Sequence, residues 1–160
     1  LLAARNSQSG VAMVRQLARP GIVTLDKPGG APSYALLTAL SDSGATLRAG
    51  NSEQTVTLAA LASRWQGDFA TLWRAPAGFA GRITAGQGGP AVEWVAQKLA
   101  AIDGQPAPAG RVVLDARLKA RIRTFQVAQG LNADGRPGPM TFMQLNRASG
   151  VDEPRLRLEP

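Results

Sequence analysis

Apolar residues along this chain follow two different rhythms. In the first half they come in short runs and alternations. Val11, Val14, Leu17 and Ala18 fall at helical spacing behind Ser9, a residue type that caps helices, and Pro20 stops the run. Ile22 to Leu25 and Tyr34 to Leu40 read as strands, the second with Leu36 and Leu40 on one side and Leu37 on the other. Between them, Asp26-Lys27-Pro28-Gly29-Gly30 has the composition of a turn. Ala45 to Ala49 and Thr55 to Leu58 flank Gly50-Asn51-Ser52-Glu53 as a hairpin. There Thr46, Arg48, Thr55 and Thr57 alternate with Leu47, Val56 and Leu58, which predicts one wet face and one buried face. A helix from about Leu58 to Trp65 and a last strand from Phe69 to Trp73 complete an α+β half with a small antiparallel sheet.

After a passage rich in Gly, Ala and Pro from Trp73 to Gly89, the rhythm turns helical. Val92, Val95 and Leu99 mark one helix, and Thr141 and Leu145 mark another. Between them Leu118, Ile122 and Phe125 form the stripe of a helix running from a cap at Asp115 to Gln129. Gly130, which has no Cβ, permits the left-handed conformation that closes this helix, and Asp134-Gly135 makes a tight turn. Pro137 stiffens the exit, and Gly138-Pro139 opens the next helix with proline where no amide donor is needed. Gly86-Gln87-Gly88-Gly89-Pro90 repeats the spacing of Gly135-Arg136-Pro137-Gly138-Pro139, as an internal duplication would. The pattern predicts an α+β domain at 1–78, a linker at 79–85, an all-α three-helix domain at 86–150 and a tail at 151–160.

Composition changes this picture mainly by subtraction. At 160 residues and 44% hydrophobic the chain supports one ordinary domain or two small ones. It contains no His and no Cys, which removes the Cys nucleophile, the Ser-His triad, the imidazole base and the His-containing zinc site. Metal-dependent wall amidase and endopeptidase chemistry is therefore not expected, nor is a cofactor or metal. The net charge of +7 favours polyanions: nucleic acid, anionic lipid or the anionic wall polymer. No apolar run reaches about 18 residues and no signal-peptide pattern is present, so neither a membrane span nor a signal peptide is expected. Leu1-Leu2-Ala3-Ala4, without an initiator Met, reads as a start in mid-chain.

Phe125-Gln126 near the end of one helix, Asp134-Gly135-x-x-Gly138, and Thr141 and Leu145 in the next helix resemble the small three-helix peptidoglycan-binding domain of cell-wall hydrolases, over Gly86 to Arg147. A second likeness lies upstream. Tyr34-Ala35-Leu36-Leu37-Thr38, Ala45-Thr46-Leu47, Val56-Thr57-Leu58, Leu61 to Gly67 and Phe69 to Trp73 resemble the C-terminal part of a C39-type papain-like peptidase domain. That family cleaves peptides with a Cys, a His and an Asp. Here Ser33-Tyr34 stands where the His would fall, and Ala49-Gly50-Asn51 where the family offers Asp-Pro, so the resemblance implies a non-catalytic relic. In this order, joined through Trp73 to Gly78, the two halves resemble the periplasmic region of the general secretion pathway protein A family, of the ExeA type.

The resemblance implies an anchoring role in type II secretion, helping to place the outer-membrane secretin. Its implied partners are peptidoglycan, the secretin and general secretion pathway protein B, with homo-oligomers possible and no nucleic acid expected. It also implies a periplasmic location, as the soluble part of an inner-membrane protein whose membrane helix and ATPase lie outside this chain.

A peptidoglycan site needs planar donors for the carboxylates of peptide stems, amide or carboxylate groups for hydroxyls, and an apolar wall for a sugar. Asp134, Gly135 and Arg136 beside Gln126, with Arg123 one turn earlier, supply the polar groups, and Trp94 or Phe142 the wall. Thr141 either binds or ties down the loop. Competing structural readings stand beside these: Asp134 bonding its own turn, Phe125 as core, Arg117, Lys119, Arg121 and Arg123 as a solvated face, and Trp65 and Trp73 packing in the first half. The alternative functions are a wall hydrolase or its accessory, and a basic nucleic-acid-binding module. A hydrolase needs paired carboxylates, and Glu53, Asp68, Glu93, Asp103 and Asp115 are scattered. Most aromatic residues lie outside the Arg-rich helix, so no stacking platform for bases is evident.

Overall fold

A computed structural model describes residues 2–3, 7–25, 30–81 and 83–160. Contacts divide the chain into two units, Leu1–Leu72 with Pro154–Pro160, and Trp73–Glu153. The class is α+β: an antiparallel sheet with short helices, and a separate three-helix unit.

In the first unit, helix α1 (Ser7–Leu17) begins two residues before the expected cap, so Ser9 lies inside it. Strands β2 (Gly21–Leu25), β3 (Ser33–Leu40), β4 (Gly44–Ala49) and β5 (Ser52–Thr57) form an antiparallel sheet in chain order. A further short pair joins β1 (Leu2–Ala3) to β6 (Asp68–Phe69). The expected turn at Asp26 to Gly30 lies, for 26–29, outside the described residues. Val14, Leu17, Val23, Leu37, Leu61, Trp65 and Phe69 are the buried apolar body of this unit. The entry to β2 approaches β6 so closely that a Cβ on Gly21 would lie 2.4 Å from Phe69 Cζ and 2.7 Å from the Ala70 carbonyl.

Four readings of this half are corrected by long-range pairing. Leu40 shares the buried side with Leu37, because the register of β3 against β4 shifts between Leu37 and Ala39, and a bulge turns the side chains beyond it to the other face. Thr46 is buried and Leu47 only half-buried, so β4 does not show the predicted wet-and-dry alternation. The hairpin turn is shorter than expected: Ala49 pairs with Ser52, leaving Gly50 and Asn51 at its tip, with Gly50 at φ +58. Helix α2 (Leu58–Ala62) stops early, and Trp65 instead bridges to Leu25 while its indole donates to the Asp68 carbonyl at 2.5 Å.

The chain returns to the first unit at its end. Strand β7 (Arg157–Leu158) pairs in parallel with β3, Ala39 opposite Arg157 and Leu40 opposite Leu158, and Leu156 is buried. The expected bounds of a tail at 151–160 and of a first domain reaching residue 78 therefore differ from the observed division. So does a linker at 79–85: Ile83 is buried in the core of the helical unit, and Trp73 and Phe79 pack against that core. Trp73 stacks on Phe142 with ring centroids 5.8 Å apart, placing it in the second half and not the first.

The helical unit follows its sequence signals closely. Helix α3 (Pro90–Ile102) and helix α5 (Pro139–Ala148) each open on the predicted proline. Helix α4 (Ala116–Ala128) is capped by Asp115, whose carboxylate accepts from the Leu118 amide at 2.7 Å. It closes through Gly130 at φ +66, with the Leu131 amide donating back to the Gln126 carbonyl at 2.8 Å. Val92, Val95, Leu99, Leu118, Ile122, Phe125, Phe142 and Leu145 form the shared core, as the helical stripes require. The unit also ties its own ends: the buried Asn146 amide donates to the Arg74 carbonyl at 3.0 Å and to Glu153 at 3.1 Å, and Glu153 accepts from the Arg74 amide at 2.8 Å.

Candidate functional site

The motif residues around the α4–α5 loop do meet, and Gln126 is their centre. Its side-chain nitrogen lies 3.1 Å from Asp134 Oδ1, 3.1 Å from the Arg136 carbonyl and 3.2 Å from Thr141 Oγ1. Its side-chain oxygen accepts from the Gly135 amide at 2.9 Å. Asp134 Oδ1 also accepts from the Arg136 amide at 2.8 Å, the self-bonded turn that Asp favours. Gln126 is 2% exposed and Thr141 4%, so the amide is consumed inside the protein, holding the loop onto α4.

Gly135 is fixed twice over. Its φ of +71 lies in the left-handed region, and a Cβ there would stand 3.0 Å from the Lys119 carbonyl and 3.1 Å from Arg123 Nε. Gln126, Gly135 and Thr141 thus face inward, and Asp134 spends its Oδ1 on the turn. The structural readings of Asp134 in its own turn and of Thr141 tying down the loop are the ones the geometry shows, with Gln126 as the buried partner of both.

Phe142 is not available as a wall for a sugar, because its ring is fully buried among Trp73, Phe79 and Trp94. Trp94 is half-buried beside it, with ring centroids 5.7 Å apart, and Lys98 Nζ lies 5.5 Å from the Trp94 ring centroid. Arg123 and Arg136 are exposed. Of the eight expected site residues, four therefore keep side chains at least partly at the surface: Trp94, Arg123, Asp134, through the oxygen not used in the turn, and Arg136.

The scattered carboxylates mostly have structural work. Asp68 accepts from the Thr24 amide at 3.1 Å, Glu53 pairs with Arg157 at 3.4 Å, Asp103 pairs with Arg121 at 2.7 Å, and Asp115 caps α4. Glu93 sits in the first turn of α3, where a negative charge complements the helix dipole. Among the described residues no group of His, Cys, Asp and Glu could hold a metal ion, and no helix is long and apolar enough to cross a membrane.

One feature escaped the sequence reading. The connection after α3 and the first turns of α4 enclose a groove of about 560 Å³, lined in part by Arg111, Arg117 and Arg121. Arg117 and Arg121 were legible as an off-core face, but Arg111 comes from the extended connection, and nothing in local spacing joins it to them.

Residues 88–145, most of the helical unit, match the family described as putative peptidoglycan binding domain. The likeness extends beyond that domain. The chain is 32% identical over 158 residues, 99% of its length, to general secretion pathway protein A of Aeromonas hydrophila, and spans 29% of that protein. Its fold matches the crystal structure of a periplasmic domain of the EpsAB fusion protein of the Vibrio vulnificus type II secretion system, with a TM-score of 0.53 and 24% identity, covering 91% of this chain and 73% of that one. The chain thus resembles the ExeA type in both halves and in their order.

Proposed function

We propose that this chain is a non-catalytic, periplasmic peptidoglycan-binding part of a type II secretion assembly factor, and that it helps to place the secretin. The observation that carries this is the wall-binding match at 88–145 inside a chain similar over 99% of its length to a general secretion pathway protein. The locked α4–α5 loop supports it. Because Gln126 fixes the loop from within, Arg136 and the neighbouring Arg123 are held on a rigid surface, which lowers the ordering cost of meeting a ligand. Trp94 offers the remaining apolar ring, and the secretin and general secretion pathway protein B are the expected protein partners.

The first unit lacks the His and Cys of the peptidase family it resembles, so within this proposal it is a relic that cleaves nothing. Incubation with purified sacculi separates retention from cleavage. Chain in the pellet with no muropeptide released supports the proposal, and release that rises with incubation time overturns it in favour of a wall hydrolase.

A further inference from the structure

The groove beside α4 has a chemistry of its own. Pro106, Pro108, Val112 and Leu118 give it apolar walls, and its volume of about 560 Å³ is that of a small-ligand site. Three guanidinium groups and two carboxylates supply its charge. Both carboxylates are already committed: Asp103 to Arg121 at 2.7 Å, and Asp115 to the Leu118 amide at 2.7 Å. Arg111 and Arg117 have no side-chain partner among the described residues. The groove therefore keeps a net positive charge, with the guanidinium groups of Arg111 and Arg117 outside any ion pair and next to apolar surface, an arrangement complementary to a carboxylate on a short aliphatic chain.

We propose that this groove takes the carboxylate-bearing peptide stem of peptidoglycan, an inference that rests on the wall-binding reading above. Peptidoglycan presents two chemistries, and the lining separates them. A sugar ring is best held against an aromatic face, and no aromatic residue lines the groove. A stem peptide offers carboxylates, which guanidinium forks bind in pairs of parallel hydrogen bonds, and alkyl segments, which proline and valine walls cover. Arg111 and Arg117 grip the carboxylates, and the Arg121–Asp103 pair holds the end of α3 against α4 so that the groove keeps its width. Recognition on this side of α4 is of the peptide, leaving the glycan to the Trp94 side.

The test titrates the full chain with four soluble probes: a stem tetrapeptide with free carboxylates, the same peptide with its carboxyls amidated, the wall disaccharide without peptide, and an acidic peptide of ordinary L-residues. The free stem peptide is expected to bind and the amidated one to lose binding. Arg111→Gln and Arg117→Gln should each weaken the free peptide by about tenfold, the loss of a charge-assisted hydrogen bond. Both side chains are exposed and unpartnered, so neither variant should change the melting temperature, and disaccharide binding should be unaltered. Binding that is the same in both variants, or absent in the parent chain, overturns the inference. A chain that pellets with sacculi yet ignores the peptide overturns the groove and leaves the wall reading standing, whereas failure to pellet is the separate failure of that reading. An acidic L-peptide that binds as well as the stem overturns the assignment in favour of a protein tail.

Discussion

The backbone amide of Gly135 donates to the side-chain oxygen of Gln126 at 2.9 Å, so a loop residue is held by a helix residue nine positions earlier. The other end of the same amide group reaches Asp134, Arg136 and Thr141. One buried side chain thereby sets the shape of the whole α4–α5 connection.

Gln126→Ala should cost the helical unit about 2 kcal/mol, since it leaves the buried Gly135 amide and the Arg136 carbonyl without partners. Urea denaturation followed by circular dichroism at the helical signal checks it. An unchanged midpoint would show that the loop is held by something other than this amide.

Gly135→Ala should cost roughly 1–2 kcal/mol through the left-handed backbone alone. The added Cβ must also fit 3.0 Å from the Lys119 carbonyl, so the loss should exceed that of an alanine at Gly138, where φ is −100 and nothing lies within 4 Å. Paired melts of the two variants make the comparison.

Much of the helical unit was legible because its determinants are local. Asp115 caps, Gly130 closes, and Pro90 and Pro139 begin helices by chemistry that acts within one or two turns. The first unit was harder. Which way Leu40 faces depends on a bulge set by pairing with β4, and the place of Trp73 depends on a ring that lies far along the chain at Phe142. The return of Arg157 and Leu158 to β3 is equally invisible to any local window. In the site, spacing predicted that Gln126, Asp134 and Thr141 come together. The turn of Asp134 and the tie at Thr141 were among the structural readings that spacing offered, but spacing does not reveal that Gln126 is buried with its polar atoms turned inward.

In the first unit, Gly21→Ala should destabilise by about 1–3 kcal/mol, because the new methyl meets both a ring carbon of Phe69 and the rigid Ala70 carbonyl. With Trp73 and Trp94 of the helical unit replaced by Phe in parent and variant alike, the fluorescence of buried Trp65 reports this unit's unfolding. A midpoint equal to that of the parent would mean that β2 and β6 separate without cost.

Arg136→Gln tests the surface presented by the locked loop. Its guanidinium is exposed, so stability should stay within about 0.5 kcal/mol of the parent. Affinity for sacculi should fall about threefold, as for the loss of one exposed charge pair. Equal affinity would move the contact surface away from this loop.

Wall binding itself is decided by co-sedimentation of the full chain with washed, protein-free sacculi at low and at moderate salt, with a DNA-retention control. A wall-recognising module pellets at both salt levels and is not retained on DNA. If the chain stays in the supernatant, or if its binding vanishes once salt screens the +7 net charge, the affinity is that of a basic surface and the proposed function is wrong.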